Sequence, residues 1–402
     1  MRSAVPSDAA DRSTESGRRP LQLAYVANSR IPSRAANTVH VLNMSEAFAA
    51  EGHSVSLIAR GEPPTGASLF EDFSLENRFD VKLLPVTNPA FLDRLCFIRH
   101  VRRSLAERPF DFVYGRSCYG LLAGVPRNVP FAYDLHIVPS SRLRRGLEAL
   151  LFRRPNFLFA TAITRAIADK YRSTFPHLRD RILVAPCAAA PVQQATECRQ
   201  PGPTRVYYVG HLYQGRGIDL VLEVARAATD IEFHIVGGEE ADIRFWAGRA
   251  SENVVFHGYV KPSGLAAHYE RADLCVAPHG TTVTVAGGGG DIAPWMSPMK
   301  IFEYMAHGKP LIAADLPALR EIVSPGVDGL LCPPDDPEAW LGAIRILSND
   351  AALRGRLGEA ARRTLEEHHT WQGRARAILE FAEVRTVAER KRVGLARDLP
   401  SR

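Results

Sequence analysis

The sequence contains no apolar run long enough to cross a membrane. Of its 402 residues, 46% are hydrophobic and 23% are charged, which is ordinary for a globular protein. Its apolar stretches have the length of strands and fall well short of the ~18 residues that a spanning helix needs. Residues 1–19 have no apolar core either, which argues against a secretory signal and predicts a disordered tail. We therefore expect a cytoplasmic protein, working in solution or at the inner face of the membrane.

Several common metal- and nucleic-acid-binding patterns are also missing. The six cysteines are scattered, with no C-x-x-C pair, which favours reduced thiols over a disulfide framework or a zinc site. No Asp-x-Asp, H-E-x-x-H or Walker A pattern occurs. The aromatic, helix-turn-helix and zinc-finger signatures of nucleic-acid binding are absent. We therefore expect no metal cofactor and no nucleic-acid partner.

What is present is an alternation of strand-like and helical segments, and it occurs twice. Runs such as LQLAYVA (21–27) and RVYYVG (205–210) are short and apolar, as in parallel sheets covered by helices on both faces. Between the two series lies a stretch rich in proline and glutamine. The predicted fold is α/β, with two Rossmann-like domains that face each other across a deep cleft. The predicted boundaries are an N-terminal domain at 20–186, a linker at 187–204, a C-terminal domain at 205–369, a further helix at 370–388 and a basic tail at 389–402.

The stretch from Ser297 to Leu311 carries the most chemical information. Pro298 begins a helix just after a strand, and the free N–H groups near Met299 would favour a phosphate there. Lys300 lies in the first turn, where the helix dipole prefers an acid, so an anionic ligand explains it better. Glu303 lies among apolar residues and needs a partner, which is either a pair of ribose hydroxyls or a cation in a salt bridge.

The same stretch, with EYMAHGKPL beginning at Glu303, resembles the donor-binding segment of family-4 retaining glycosyltransferases, which have the GT-B fold. Those enzymes carry another glutamate eight residues earlier, where this sequence has Trp295. The resemblance spans about residues 21–385. It implies a nucleotide diphosphate sugar as donor, retention of configuration, no metal, and a helix at 370–388 that crosses back onto the N-terminal domain. It also implies that Glu303 holds the ribose, with Ser297 and Met299 beside the donor.

A glycine-rich turn opens the C-terminal half and is similar to the strand–loop–helix unit of this family. Gly210, Gly215 and Gly217 permit a tight backbone, and the planar fork of Arg216 matches a diphosphate. His211 stands where relatives have an arginine, so Arg216 is the stronger candidate. Further along the chain, Gly258 would let a flat base approach the backbone. Its neighbour Tyr259 either flanks that base or fills the core.

In the N-terminal half, His136 directly follows a strand. Members of the family place a histidine there, near the reacting sugar carbon, and it would hydrogen-bond the sugar or move a proton. Asp134 lies on the same face of the sheet and could orient it. His136, Arg216 and Lys300 are therefore the predicted catalytic residues. The glycine pair that precedes the first helix in relatives is Ala35–Ala36 here.

The net charge of +6 is concentrated in a few segments. Residues 94–108, residues 142–154 and the chain after Glu383 each carry a surplus of four positive charges. The first two also have apolar stripes at helical spacing, with Leu143, Leu147, Leu150 and Leu151 in the second. The default interpretation is that the stripe packs on the core and leaves a solvated basic face, and contact with an anionic membrane is compatible with it. A membrane-linked or otherwise anionic acceptor explains this basic surface best.

We therefore expect a glycosyltransferase that moves a hexose-type sugar from a nucleotide diphosphate sugar to an acceptor hydroxyl with retention, in envelope glycolipid or polysaccharide synthesis. The N-terminal domain would take the acceptor, which is a glycan, a glycolipid or a small molecule, and the C-terminal domain would take the donor. Two alternatives stay open: a nucleotide-sugar epimerase on the same fold, and a catalytically silent binding protein.

Overall fold

The structure is a computed structural model that describes residues 19–62, 68–87, 90–139, 141–193, 202–284 and 290–397. Almost all of the predicted tail 1–19, residues 194–201 of the predicted linker 187–204, and the end of the predicted basic tail 389–402 lie outside the described residues.

The N-terminal domain is built on a parallel seven-stranded sheet with the order β3-β2-β1-β4-β5-β6-β7. Its strands have nearly continuous apolar interiors because helices cover both faces. The strands are β1 (Gln22–Arg30), β2 (Ser54–Arg60), β3 (Asp80–Leu84), β4 (Phe112–Gly115), β5 (Phe131–Leu135), β6 (Phe157–Ala162) and β7 (Ile182–Val184). The helices are α1 (Ala36–Ala50), α2 (Ser68–Asp72), α3 (Ala90–Ala106), α4 (Arg142–Phe152) and α5 (Arg165–Thr174).

The C-terminal domain repeats this plan on a parallel six-stranded sheet with the order β10-β9-β8-β11-β12-β13. Its strands are β8 (Thr204–Val209), β9 (Ile231–Val236), β10 (Val254–Gly258), β11 (Leu274–Ala277), β12 (Leu311–Ala314) and β13 (Leu330–Cys332). Its helices are α6 (Ile218–Ala227), α7 (Glu240–Ala247), α8 (Ala266–Arg271), α9 (Met299–Ala306), α10 (Pro337–Asn349) and α11 (Ala351–His368). Strand order reverses beside β1 and beside β8, and ligands of such sheets bind at these reversals.

A last helix, α12 (Trp371–Arg397), packs on the N-terminal domain. Trp371, Ala375, Ile378 and Leu379 repeat at helical spacing and are buried in the same apolar cluster as Val41 and Phe48 of α1. The ring of Phe381 lies 4.9 Å from that of Phe159 in β6. The first half of α12, as far as Ala382, is therefore part of the first domain's core.

The expectation that the apolar stripe of segment 142–154 packs on the core holds for only two of its four leucines. Leu151 is buried and Leu147 packs against the core, whereas Leu143 is 73% exposed and Leu150 56% exposed. Glu148 and Phe152 are also buried. Glu148 faces inward because it accepts hydrogen bonds from Tyr133 and Tyr171 and pairs with Arg144. That buried carboxylate rotates the helix and leaves leucines on its outer face. None of the helices in the described ranges combines the length and apolarity of a membrane span.

Candidate functional site

A cavity of about 200 Å³ lies between the two sheets, at the ends of the strands where their order reverses. The C-terminal domain contributes the glycine turn after β8, the ends of β9 and β10, and the first turn of α9. The N-terminal domain contributes the loop before α1 and part of α1. Among the lining residues are Arg34, Ala36, Gly210, His211, Arg216, Gly237, Tyr259, Met299, Lys300 and Glu303.

Lys300 presents a buried ammonium group to this cavity. Its Nζ is inaccessible to solvent and finds no hydrogen-bond acceptor in the described part of the chain. The nitrogen lies 3.8 Å from the centre of the Tyr208 ring. Burial, and then the charge of Arg216, hold the pKa of Lys300 well below its usual value, although Glu303 opposes the shift. Because a buried charge without a partner is costly, this arrangement calls for an anionic ligand.

Arg216 supplies a second positive charge on the same wall of the cavity. Its Nη2 donates to the carbonyl of Thr284 at 3.5 Å, while its Nε is buried and finds no partner among the described residues. Two neighbouring cations with unused donors are the arrangement that binds a diphosphate and stabilises charge as it develops there.

Glu303 lies one helical turn after Lys300 and accepts a hydrogen bond from a tyrosine of α8. Tyr269 of α8 donates its hydroxyl hydrogen to Oε2 of Glu303 at 2.6 Å. Burial raises the pKa of Glu303, and Tyr269 and Lys300 oppose the shift. This geometry answers the alternative left open by the sequence, because the closest partner of the carboxylate is a tyrosine rather than a salt-bridging cation. Its other oxygen remains available to a ligand hydroxyl.

Backbone geometry explains three of the predicted glycines. A Cβ atom on Gly210 would lie 2.8 Å from Nζ of Lys300, so this glycine makes room for the lysine. Gly215 and Gly217 have φ values of +79° and +76°. Side chains there would collide with the carbonyls of Thr282 and Pro278. These two glycines border a separate surface pocket and shape the loop that carries Arg216.

The mouth of the cavity is bridged by contacts between the two domains. Arg34, just before α1, pairs with Glu239 at 2.7 Å, and its guanidinium lies 4.2 Å from the centre of the Tyr259 ring. Lys261 pairs with Asp72 of α2 at 2.8 Å. The domains are therefore held together on the side where Tyr259 lies.

His136 belongs to a second polar cluster, under the N-terminal side of the cleft. Its Nε2 lies 2.8 Å from Oδ2 of Asp134, and His40 contacts the same oxygen at 3.3 Å. These three side chains are close enough to hold a metal ion. However, Arg374 of α12 donates to the other oxygen of Asp134 at 2.9 Å, and its charge opposes a cation at this place.

Several predicted residues lie beside the cavity rather than in its lining. The hydroxyl of Ser297 accepts a hydrogen bond from the backbone N–H of Cys187 at 3.1 Å, and so joins the start of α9 to the N-terminal domain. The carbonyl of Gly258 accepts from the N–H of Gly237 at 2.7 Å. Trp295 is half-buried, and its carbonyl faces the hydroxyl of Thr164 at 3.5 Å. His136 also lies outside the lining.

Sequence reasoning missed three residues of this region. His279, just after β11, is fully buried, and neither ring nitrogen has a partner in the part of the chain that the structure describes. Burial and the charges of Lys300 and Arg216 lower the pKa of His279. Its position at the end of a strand was the available signal. Arg34 and Arg374 gave no such local signal.

Comparisons with known proteins agree with this arrangement. Residues 38–191 match the model named glycosyltransferase family 4, and residues 203–350 match the model named glycosyl transferases group 1. A phosphatidyl-myo-inositol mannosyltransferase of Mycolicibacterium smegmatis is 25% identical over 345 residues, which are 81% of this chain and 84% of the relative. The corresponding protein of Mycobacterium tuberculosis is 26% identical over 368 residues, 86% of this chain and 92% of the relative.

Among solved structures, the fold is similar to that of sucrose-phosphate synthase from Thermosynechococcus elongatus. The TM-score is 0.67 at 17% identity, with 91% of this chain and 100% of that chain covered. The two domain matches, the two parallel sheets and the cleft between them lead to one conclusion. The chain belongs to the glycosyltransferases of GT-B fold, with a family 4 N-terminal domain and a group 1 C-terminal domain.

Proposed function

We propose that this protein transfers a hexose-type sugar from a nucleotide diphosphate sugar to an acceptor hydroxyl, with retention of the anomeric configuration. The observation that carries the proposal is the pair Lys300 and Arg216, which line one cavity and whose buried Nζ and Nε atoms have no hydrogen-bond partner among the described residues. A departing diphosphate gains negative charge as the sugar leaves, and fixed cations stabilise that charge best in a site shielded from water.

The rest of the cavity suits the remaining parts of such a donor. The outward oxygen of Glu303 would accept hydrogen bonds from the ribose hydroxyls, and Tyr259 would lie against the base. Glu303 is also the sole carboxylate among the described lining residues, and its place beside the ribose leaves the sugar without a nucleophilic acid. This composition supports retention by attack from the face of the leaving group. His136 would contact the sugar or the acceptor from the other side.

We propose that the reaction needs no metal ion. Arg216 and Lys300 supply the positive charge that a divalent cation supplies elsewhere. At the His40–Asp134–His136 cluster, Arg374 already balances the carboxylate. Transfer activity is expected to be unchanged after treatment with EDTA, and a loss restored by Mg²⁺ or Mn²⁺ would contradict this part of the proposal.

For the acceptor, we propose an anionic lipid at the inner face of the membrane. The exposed face of α4 (Leu143, Leu150) and the start of α3 (Phe91, Leu92, Leu95) are apolar, and arginines surround them. Arg94 of α3 and Arg144 of α4 both lie over the Tyr119 ring, at 5.3 Å and 5.7 Å, which joins the two helices into one surface. Apolar side chains within a basic surface suit an anionic bilayer. The name of the mycobacterial relatives makes an inositol lipid and mannose the first pair to test.

A thermal-shift series tests the donor. UDP-, GDP- and dTDP-sugars are compared, and a ligand at one hundred times its Kd is expected to stabilise the folded protein by about 2.7 kcal/mol. Nucleoside diphosphate release that requires an acceptor supports the transferase. Interconversion of the donor sugar without an acceptor would identify an epimerase instead, and the absence of any shift would leave a silent binding protein.

Co-sedimentation with vesicles tests the membrane surface. Wild-type protein is expected to bind vesicles that contain anionic lipid and to stay in the supernatant with zwitterionic ones. A Leu143→Asp/Leu150→Asp variant should lose this binding. Ile346→Asp is the matched control, because Ile346 is a comparably exposed apolar residue (56%) on the other domain. Equal recovery of wild type and double variant would remove α4 from membrane contact.

A further inference from the structure

Asp134 is a fully buried carboxylate with partners from five separate parts of the chain. Its Oδ1 accepts hydrogen bonds from Thr161 of β6 at 2.7 Å and from Arg374 of α12 at 2.9 Å. Its Oδ2 faces His136 at 2.8 Å, His40 of α1 at 3.3 Å and Tyr25 of β1 at 3.5 Å. A carboxylate buried this deeply stays ionised only when such a set of donors and a cation surround it.

Arg374 is the cation, and it reaches the cluster from a distant part of the sequence. Its side chain is buried, and its Nε also donates to the carbonyls of Ala185 and Pro186, at 3.2 Å and 3.0 Å. One turn earlier on α12, Trp371 packs edge-on against the ring of His40, with centres 5.1 Å apart. The guanidinium is therefore held by two backbone carbonyls and by the helix that carries it.

The charge balance fixes the protonation of the neighbouring groups. Burial alone would raise the pKa of Asp134, but the nearby His136, the charge of Arg374 and the hydrogen bonds from both histidines hold it well below its usual value. Burial, followed by the charge of Arg116, lowers the pKa of His136 to about 4. At neutral pH the cluster thus holds one anion, one paired cation and a neutral His136 ring with a single N–H.

A neutral imidazole has two tautomers, and only one of them suits the contact between His136 and Asp134. Because the ionised carboxylate of Asp134 can only accept a hydrogen bond, the hydrogen must sit on Nε2 of His136. The other nitrogen, Nδ1, then carries a lone pair, on a side chain that keeps 14% of its surface exposed. Such a nitrogen accepts a hydrogen bond from a hydroxyl and cannot donate one.

The cluster is also tied to the donor side of the cleft. The Sγ of Cys187 contacts Nδ1 of His40 at 3.7 Å, and the backbone N–H of the same cysteine donates to Ser297. Ser297 precedes Pro298 and Met299, which line the donor cavity. Contacts therefore run from His40 through Cys187 to the residue that precedes Pro298.

We propose that Arg374 and Asp134 are positioning residues that hold His136 with its hydrogen on Nε2, so that Nδ1 accepts a hydrogen bond from a substrate hydroxyl. This rests on the proposed transfer reaction for the role of His136, but the tautomer is a property of the protein alone. It also gives α12 a catalytic purpose, because the last helix of the chain supplies the charge that keeps the ring in its working form.

The test uses variants in which the carboxylate is replaced. In Asp134→Asn the amide can donate to Nε2 and so favour the opposite tautomer. Asp134→Asn/Arg374→Met removes both charges together and keeps the cluster neutral if the single variant folds poorly. Asp328→Asn is the matched control, because Asp328 of the other domain is also a buried carboxylate that accepts a hydrogen bond from a hydroxyl, that of Thr364, and its hydrogen-bond partners in the described chain include no histidine.

Two readouts distinguish positioning from general structural damage. In ¹⁵N spectra of histidine-labelled wild-type protein without donor, His136 is expected in the Nε2–H form, and Asp134→Asn and the double variant should shift it toward Nδ1–H. In transfer assays both variants should lower kcat by about 10²- to 10⁴-fold, as expected when a catalytic histidine is left in the wrong tautomer. The KM for the donor should change less than threefold, and Asp328→Asn should leave kcat within threefold of wild type.

An Nδ1–H form in the wild type, or a folded double variant with unchanged kcat, would overturn the proposal. The spectra separate this inference from the proposed function. If no nucleotide sugar is consumed while the Nε2–H form is observed and is lost in both variants, the positioning stands and the transfer reaction fails. If transfer is found and the tautomer does not depend on Asp134, the transfer reaction stands and the positioning role fails.

Discussion

Burying the ammonium group of Lys300 beside Arg216 is expected to lower the stability of the free protein and to favour the donor. Replacing Lys300 with methionine tests both effects. In the free protein, Nζ of Lys300 is buried and without an acceptor in the described chain. An unsatisfied buried donor costs about 1–3 kcal/mol, and more when it is charged. The contact with the Tyr208 ring returns roughly 0.5–2 kcal/mol. Methionine has a similar length and no charge, so the variant is expected to be more stable than wild type by about 1–2 kcal/mol.

The assay combines thermal unfolding with donor kinetics. A gain of that size corresponds to a rise in Tm of about 2–8 °C for a domain of this length. With the nucleotide sugar that shifts the wild type, kcat/KM should fall by about 10²- to 10³-fold, the usual effect of removing one group that stabilises developing charge. Stability and activity are thus expected to move in opposite directions.

The pH dependence of the free energy of unfolding tests the same prediction independently. The pKa of Lys300 in the folded protein lies well below the value of 10.5 expected for the unfolded chain, so the unfolded chain binds the proton more tightly. The free energy of unfolding should therefore rise with pH from the folded pKa up to about 10.5, and the full penalty remains below the folded pKa. Lys300→Met should lose this rise. Calorimetry in buffers of different ionisation enthalpy should also show proton uptake on donor binding in wild type alone.

Lys309→Met is the matched control. Lys309 also has a lowered pKa because of burial, but its Nζ donates to the carbonyls of Glu270 and Ala272 at 3.1 Å and 2.9 Å. Its replacement should reduce stability and leave donor affinity unchanged. If Lys300→Met were instead less stable than wild type and kept its kcat/KM, the buried ammonium would not be an anion site.

Further outcomes follow from single contacts. Glu303→Gln should weaken donor binding by about tenfold or more, because a charged acceptor is lost. Unchanged donor affinity in this variant would remove the ribose role of Glu303. Tyr269→Phe should raise the donor KM with little change in kcat. Gly217→Ala should lower the free energy of unfolding by more than about 2 kcal/mol in urea titrations, since its Cβ would lie 1.7 Å from the carbonyl oxygen of Pro278. Gly146→Ala, in α4 with open space around it, should raise that free energy by about 0.5–1 kcal/mol, and a loss at this position would contradict the helical assignment.

The parts of the site that could be predicted from sequence are those that depend on neighbours along the chain. Lys300 was recognisable because a cation opposes the dipole in the first turn of a helix, and Glu303 because it lies one turn later among apolar residues. The glycine turn around Arg216 was recognisable in the same way, because closely spaced glycines follow a strand. These signals need only the periodicity of one element and the rule that ligands gather where strands end.

The parts that could not be predicted depend on partners far away in sequence. Arg374 meets Asp134 across 240 positions. Asp134 was recognisable from its place two residues before His136, but no local pattern marks Arg374. The orientation of α4 was predicted only in part for the same reason, because its leucine spacing predicts a fully buried stripe while Glu148 turns inward to tyrosines on other elements and leaves Leu143 and Leu150 exposed. A polar group that finds a complete set of partners can outweigh the apolar pattern of a short helix.

The ion pairs that bridge the mouth of the cavity have a kinetic consequence. Both Arg34–Glu239 and Lys261–Asp72 lie at or near the surface, so each is a weak contact that salt screens. Raising the ionic strength should therefore speed the opening of the cleft. The same salt should weaken attraction of the enzyme to an anionic bilayer. An enzyme working on a lipid surface would then show an optimum of turnover at intermediate ionic strength, and at high salt its turnover should fall more steeply with a lipid acceptor than with a water-soluble one.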